Sequence, residues 1–203
     1  MRCRFFLWGC PVFLLITSFV MPFNINKASP KKRWLVNENS SLCVNGTTNI
    51  NKFACDIPSY GHTDTLTVSK GEKEVALSGT ISLNIKSFDC HNSIMTADLR
   101  KTLKEKQFPQ LHITFLSLSK LPELKADPAF ITGMVNIEIA GVSKRFEVNY
   151  QVTEDAQNII HLGGARDINF SDFNLIPPRK LGGMIKTRDK LSVEFHLNMK
   201  AMD

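Results

Sequence analysis

The sequence predicts an all-β fold, an antiparallel sheet closed into a barrel or folded as a sandwich, and three observations carry that expectation. Apolar and polar residues alternate with period two along most of the chain, the mark of strands with one buried face. Clusters of Gly, Pro, Asn and Asp separate these runs at short intervals. Only one stretch, residues 93–106, carries apolar residues at helical spacing, with Met95, Leu99 and Leu103 recurring every fourth position.

Taken in order, Trp34-Leu35-Val36 and Leu42-Cys43-Val44 read as short strands around a turn at Asn37 to Ser40, and Asn45-Gly46 breaks the second. Asn49 to Ile57 alternates only in its second half, which suits a strand entering through a bulge, and Pro58 ends it. Leu66-Thr67-Val68 is a strand fragment, joined through Lys70 to Lys73 to a long strand in which Val75, Leu77, Ile81, Leu83 and Ile85 share a face. Asn92 is the expected N-cap of the helix, and Phe108-Pro109 stops it before Leu111 to Phe115 alternates again. Pro122 and Pro128 punctuate the connection to a hairpin, in which Val135, Ile137 and Ile139 face Phe146, Val148, Tyr150 and Val152 across Gly141 to Lys144. A strand through Ile168 and Phe170 follows Gly163-Gly164. Phe173 to Thr187 is a Pro- and Gly-rich excursion, and Leu191 to Met199 is the cleanest strand.

The chain opens with basic Met1-Arg2-Cys3-Arg4, and an uncharged apolar run then extends from Phe5 to Phe23 ahead of Lys27-Ala28-Ser29. This predicts a secretory signal over residues 1–28; the run approaches the roughly 20 residues that span a bilayer, so an uncleaved anchor is the competing reading. Leu7-Trp8-Gly9-Cys10 precedes most of the apolar core and is read as part of the signal, not as a lipid-attachment site. Cleavage after Ala28 removes Arg2, Arg4 and Lys27 and lowers the net charge from +6 to +3, so the basic balance is partly a targeting feature. Residues 29–33 then form a basic linker and 34–200 a single domain, long enough to bury roughly 70% of its unfolded surface. No stretch interleaves aromatics with repeated basic residues, so nucleic acid is not an expected partner.

Export implies an oxidising compartment, periplasmic or extracellular, in which Cys43, Cys55 and Cys90 can form one bridge. Phe53-Ala54-Cys55 and Phe88-Asp89-Cys90 each place an aromatic two residues before a Cys at a strand end, and the predicted pair is Cys55–Cys90. Cys43, inside Leu42-Cys43-Val44, is expected to be a buried small hydrophobe.

Several segments, in this order, resemble the YceI-like domain family. They are Phe88-Asp89-Cys90-His91-Asn92, the Met95, Asp98 and Leu103 positions, Phe108-Pro109, Ala140-Gly141-Val142-Ser143-Lys144, Ser171-Asp172-Phe173, Ile176-Pro177-Pro178 and Leu181-Gly182-Gly183-Met184. The resemblance spans about residues 34–199. It implies an elongated, eight-stranded, antiparallel lipocalin-like barrel of an exported bacterial protein, whose apolar bore holds a long-chain lipid or isoprenoid quinone. Two departures leave the ligand's polar head open: Met95-Thr96-Ala97-Asp98-Leu99 replaces the family's Arg-Asp-x-His-Leu run, and Asp172-Phe173-Asn174 replaces Asp-Phe-Gly.

Burying a chain lipid contributes roughly 0.8 kcal/mol per CH₂, so a bore lined by aliphatic and aromatic side chains needs few polar contacts. The expected lining is Phe53, Leu83, Ile85, Phe88, Met95, Leu99, Leu103, Phe115, Ile137, Phe146, Phe170, Phe173, Leu181 and Met184, with the helix as plug or lid and Lys101, Lys104 and Lys106 in solvent. The competing readings are a solid core inside an envelope interaction protein, and an enzyme acting on a bound lipid through Asp98 or His91. No HExxH, G-x-S-x-G, CxxC or Gly-rich phosphate loop supports catalysis. No catalytic residue, metal site or cofactor is expected beyond a bound polyisoprenoid or fatty ligand. Membrane contact is expected only through the signal or anchor, and a homodimer is left open.

Overall fold

The computed structural model describes residues 31–71 and 74–202; the predicted signal lies outside the described residues. Eleven strands carry the fold: β1 Lys32–Val36, β2 Ser41–Thr48, β3 Lys52–Ile57, β4 Asp64–Lys70, β5 Val75–Asn84, β6 Gln110–Leu118, β7 Ala129–Ile139, β8 Val142–Glu154, β9 Ile159–Asn169, β10 Arg179–Lys180 and β11 Ile185–Met202. Helix α1, Ser93–Thr102, lies between β5 and β6. The order β1-β4-β5-β6-β7-β8-β9-β11 forms a ring, closed where β1 pairs back onto β11. All pairings are antiparallel, giving the predicted eight-stranded closed barrel with one short helix.

The 18-residue β11 is long enough to serve two neighbours on one flank. Residues 199–202 pair with β1, and residues 187–196 pair with β2. The β2–β3 hairpin therefore continues the wall beyond the end of β1. At the crossover the Asn37 amide donates to the Asn198 carbonyl at 2.9 Å, and the Asn198 amide donates to Ser40 Oγ at 3.1 Å.

Beyond β3 the wall is completed by three ties to the β5–α1 region. Asp56 and Asp89 exchange backbone hydrogen bonds at 2.8 and 2.9 Å, and Cys55 is disulfide-bonded to Cys90, the predicted pair. Buried Tyr60 supplies the third: its hydroxyl accepts from the Ser82 amide at 3.1 Å and donates to the Asp64 carboxylate. Desolvation by burial, reinforced by the bond to Asp64, pushes the Tyr60 phenol up, so it stays protonated and keeps both bonds.

Helix α1 starts as expected, with Asn92 Oδ1 accepting from the Met95 amide at 3.0 Å. It ends at Thr102, short of the predicted Lys106, because Lys104 turns into a left-handed conformation (φ 56°) and the chain closes on a tight turn to Phe108. Leu99 and Leu103 are buried, Met95 is half-buried, and Lys101, Lys104 and Lys106 are exposed.

The other differences from the sequence pattern centre on glycines. β2 runs through Asn45-Gly46 and β9 through Gly163-Gly164 without interruption. The Phe53 ring lies over Gly46 and the Phe195 ring over Gly164, each occupying the space that a side chain there would need. The β7–β8 turn is confined to Ala140-Gly141, and Phe170 belongs to a 3-10 turn, Phe170–Phe173, and not to a strand.

Candidate functional site

Strand alternation sends one face of every strand into the barrel, yet burial is uneven along its axis. At the end where β1 pairs with β4 and β11, the inward side chains Trp34, Leu66, Leu77, Leu118, Leu162 and Met199 are all but fully buried. Towards α1 the inward residues Ile113, Ile137, Val193 and Phe195 are only half-buried, because they face voids.

Three voids follow one another along this part of the axis. An inner cavity of about 40 Å³ is walled mainly by Ile81, Leu83, Phe115, Ile137, Val148 and Phe195. A second, of about 60 Å³, shares Leu42, Ile113, Ile137, Ile168 and Val193 with the first and adds Phe88, Leu99 and Leu103. The third is an open cleft of about 240 Å³ that shares Leu99 with the second and opens between α1, the β2–β3 turn and the start of β11. Each inner void exceeds the roughly 10–15 Å³ that one water requires, but together they fall well short of the roughly 300–1,000 Å³ of an ordinary ligand pocket. A long chain would thus enter by dilating the wall.

Most of the predicted lining residues border this series. Leu83, Phe115 and Ile137 border the inner cavity; Phe88, Leu99 and Leu103 border the second; Phe53, Met95 and Phe170 join Leu99 at the cleft. Ile85, Phe146 and Phe173 are packed into the core away from the three voids, and the Phe146 and Phe173 rings meet at 6.1 Å. Leu181 and Met184 correct the expectation: they are 65% and 70% exposed. The 3-10 turn Leu181–Gly183, with positive φ at Leu181, Gly182 and Gly183, holds this loop outside the barrel.

Sequence reasoning left out Val193, Phe195 and Leu197, although the alternation of β11 aligns them with Leu191, and it had no reason to include Arg166. The Arg166 position alternates with inward Leu162, Gly164 and Ile168; its side chain borders the inner cavity and its guanidinium lies 5.7 Å from the Phe146 ring centroid. Here β8 and β9 diverge, their pairing ending at Asn149–Ala165. The Phe170–Phe173 turn fills the gap, and Lys144 bonds Asp172 across it at 2.7 Å.

Of the titratable groups singled out by sequence, Asp98 borders the cleft and the others are placed elsewhere. His112, His161 and His196 sit on outer faces: His112 bonds Ser82 Oγ at 2.9 Å, and His161 bonds Asp155 at 2.9 Å. His91 is exposed and bonds Asp56 at 2.7 Å. Asp98 is paired with Lys180 at 2.7 Å beside the cleft. Cys43 is not the expected buried hydrophobe, since the parity of β2 turns Leu42 and Val44 inward and Cys43 outward beside Asp56. Desolvation by burial, then the contact with Asp56, raises its pKa to about 11, keeping it a thiol. Among the described residues no group of three His, Cys, Asp or Glu side chains is placed to hold a metal ion.

A family model for the YceI-like domain matches residues 35–199. Among solved structures, Burkholderia cenocepacia BcnA superposes with a TM-score of 0.59 at 15% identity, over 78% of this chain and 95% of that one. A polyisoprenoid binding domain from Saccharophagus degradans, implicated in plant cell wall breakdown, gives 0.61 at 10% identity, over 83% and 98%. At these identities the likeness is one of fold. Among curated proteins, none matches the sequence.

Proposed function

The chain belongs to the YceI-like domain family, and from that premise we propose that it is an exported bacterial binding protein that takes a long-chain isoprenoid or other lipid amphiphile into its barrel. The supporting observation is the succession of three largely apolar voids, linked by shared lining residues, from the cleft beside α1 to the inner cavity at Phe115. The chain would lie along this axis with its polar end towards the cleft, where Asn92, Asp98 and Lys180 are among the polar neighbours. The binding named for the Saccharophagus degradans domain supports the same ligand class. Export is supported by the Cys55–Cys90 bridge, which suits an oxidising compartment.

Native mass spectrometry of protein purified from its own host tests this reading. A bound amphiphile, or uptake of added polyprenyl quinone, is the expected result; neither appearing overturns it. N-terminal sequencing of that protein should begin at Ser29.

The size of the inner voids favours a second reading, in which the barrel is a filled scaffold whose loops contact an envelope partner. Under that reading Val193→Phe, which fills the inner cavity, leaves function unchanged; under the first it abolishes uptake while the barrel remains folded.

A further inference from the structure

Eight large apolar side chains stand exposed among the described residues, and five of them, Ile50, Ile94, Ile176, Leu181 and Met184, belong to the segments around the cleft. Ile50 and Ile94 border it directly; Leu181 adjoins Lys180, which also borders it; Ile176 lies two residues from Pro178, on the same margin. These segments are tied to one another. Asn49 Nδ2 donates to the Met184 carbonyl at 2.9 Å and the Lys186 amide donates to Asn49 Oδ1 at 2.8 Å, fixing the β2–β3 turn against the start of β11. The Lys180–Asp98 bond fixes the opposite loop to α1. The result is a rim of held apolar tips around a hole.

The charge of the rim is one-sided. Residues 46–53 and 174–188 carry Lys52, Arg179, Lys180, Lys186 and Arg188 and not one Asp or Glu. Asp98, the acid that borders the cleft, is already paired with Lys180. Lys52, Arg179, Lys186 and Arg188 make no ion pair among the described residues, and projecting apolar tips among these four cations match the boundary between acyl chains and anionic headgroups, where each Lys or Arg near the surface adds attraction and each inserted side chain adds buried area. A protein partner would instead favour a contiguous apolar patch with charge depleted at its centre.

We infer that this rim docks the barrel, cleft first, onto a phospholipid bilayer bearing anionic headgroups. Docking goes beyond the proposed lipid uptake and does not depend on it. If both hold, an amphiphile passes from the bilayer into the cleft without crossing water, and membrane contact extends beyond the signal or anchor expected from the sequence.

The test is co-sedimentation of amphiphile-free protein with phosphatidylcholine vesicles and with mixed phosphatidylcholine–phosphatidylglycerol vesicles. Preferential binding to the mixed vesicles is expected, weakening as salt screens the cations. Ile50→Ser with Met184→Ser should lower that partition by at least about tenfold, and Lys52→Gln with Lys186→Gln should abolish the preference for the anionic lipid. Leu121→Ser with Phe130→Ser, exposed outside the rim, should leave binding unchanged. Vesicle binding unaffected by the rim substitutions overturns the inference. So does a wild-type dimer, seen in sedimentation equilibrium, that dissociates on the same substitutions while vesicles are ignored, which would make the rim an interface between copies of this chain. Loading of the bore is read separately by native mass, so either proposal can fail while the other stands.

Discussion

The two ends of the barrel are built from the same strands and the same residue types but are packed to different standards. Around Trp34, the inward side chains of β1, β4, β9 and β11 interdigitate until Val36, Leu66, Ile160, Leu162 and Met199 have no exposed surface. Around α1, Ile113, Ile137, Val193 and Phe195 keep free surface on the two inner voids, and the rim above them exposes large aliphatic groups. The sealed end supplies the packing that makes a single fold. The hollow end gives up part of that packing and gains a space that an apolar chain can enter. Close-packed interiors lose several kcal/mol when a large side chain is truncated, whereas a wall that already faces a void loses fewer contacts.

The sharpest way to break this contrast is to release the hollow end covalently. Replacing both Cys55 and Cys90 by Ala removes a cross-link between residues 35 apart, which the chain-entropy account values at roughly 4 kcal/mol. The loss should appear as a lower denaturant midpoint, with amide exchange accelerating in β3 and α1 well before β9. Next comes truncation on each side: Leu162→Ala at the sealed end should cost about 3 kcal/mol and Val193→Ala less than half of that. Equal costs would show that the voids are filled in solution.

Tyr150 offers a smaller test of the opposite sign. Its hydroxyl is buried without a hydrogen-bond partner, and burial pushes its phenol up. Tyr150→Phe should therefore leave stability unchanged or raise it by up to about 1 kcal/mol in thermal denaturation. The smallest effect belongs to the exposed His91–Asp56 pair. The hydrogen bond to Asp56 raises the His91 pKa, while bonds from Cys43 and then His91 lower that of Asp56. A raised imidazole pKa stabilises the fold below the ordinary value of about 6.5, and that stabilisation is lost as pH rises through the folded-state value. The lowered carboxylate pKa contributes above about 4 and is lost on acidification. The difference in midpoint between wild type and His91→Ala should thus peak between these limits and vanish in alkali.

The sealed end was the more legible of the two in the sequence. Strict alternation through Val75 and Leu77, Val148 to Val152 and Leu197 to Met199 marks its inward faces directly, whereas at the hollow end a shared aromatic–x–Cys context placed the bridge. The hollow end departs from local pattern for physical reasons. Gly46 and Gly164 look like strand breaks but are floors beneath the Phe53 and Phe195 rings, a relation between strands that no local window contains. Leu181 and Met184 look like lining because they are apolar, yet the Gly182-Gly183 turn carries them outward. Arg166 has the strand parity of the inward residues yet stays exposed where β8 and β9 diverge, and the aromatic face it lies over belongs to Phe146, 20 residues earlier.

The double pairing of β11 bears on when the molecule can become a barrel at all. Its eighteen residues contact β9 on one flank and both β1 and β2 on the other, and it follows every other described strand in the chain. Ring closure joins residues about 165 positions apart, among the most non-local steps a domain of this size can make, and such steps come late and slowly in folding. Until residues 185–202 arrive, β1 is held by β4 alone, the ring stays open between β1 and β9, and the β2–β3 hairpin has no strand of the ring to pair with. A partly synthesised chain is therefore an open sheet, and the last strand acts as the latch that fixes its shape.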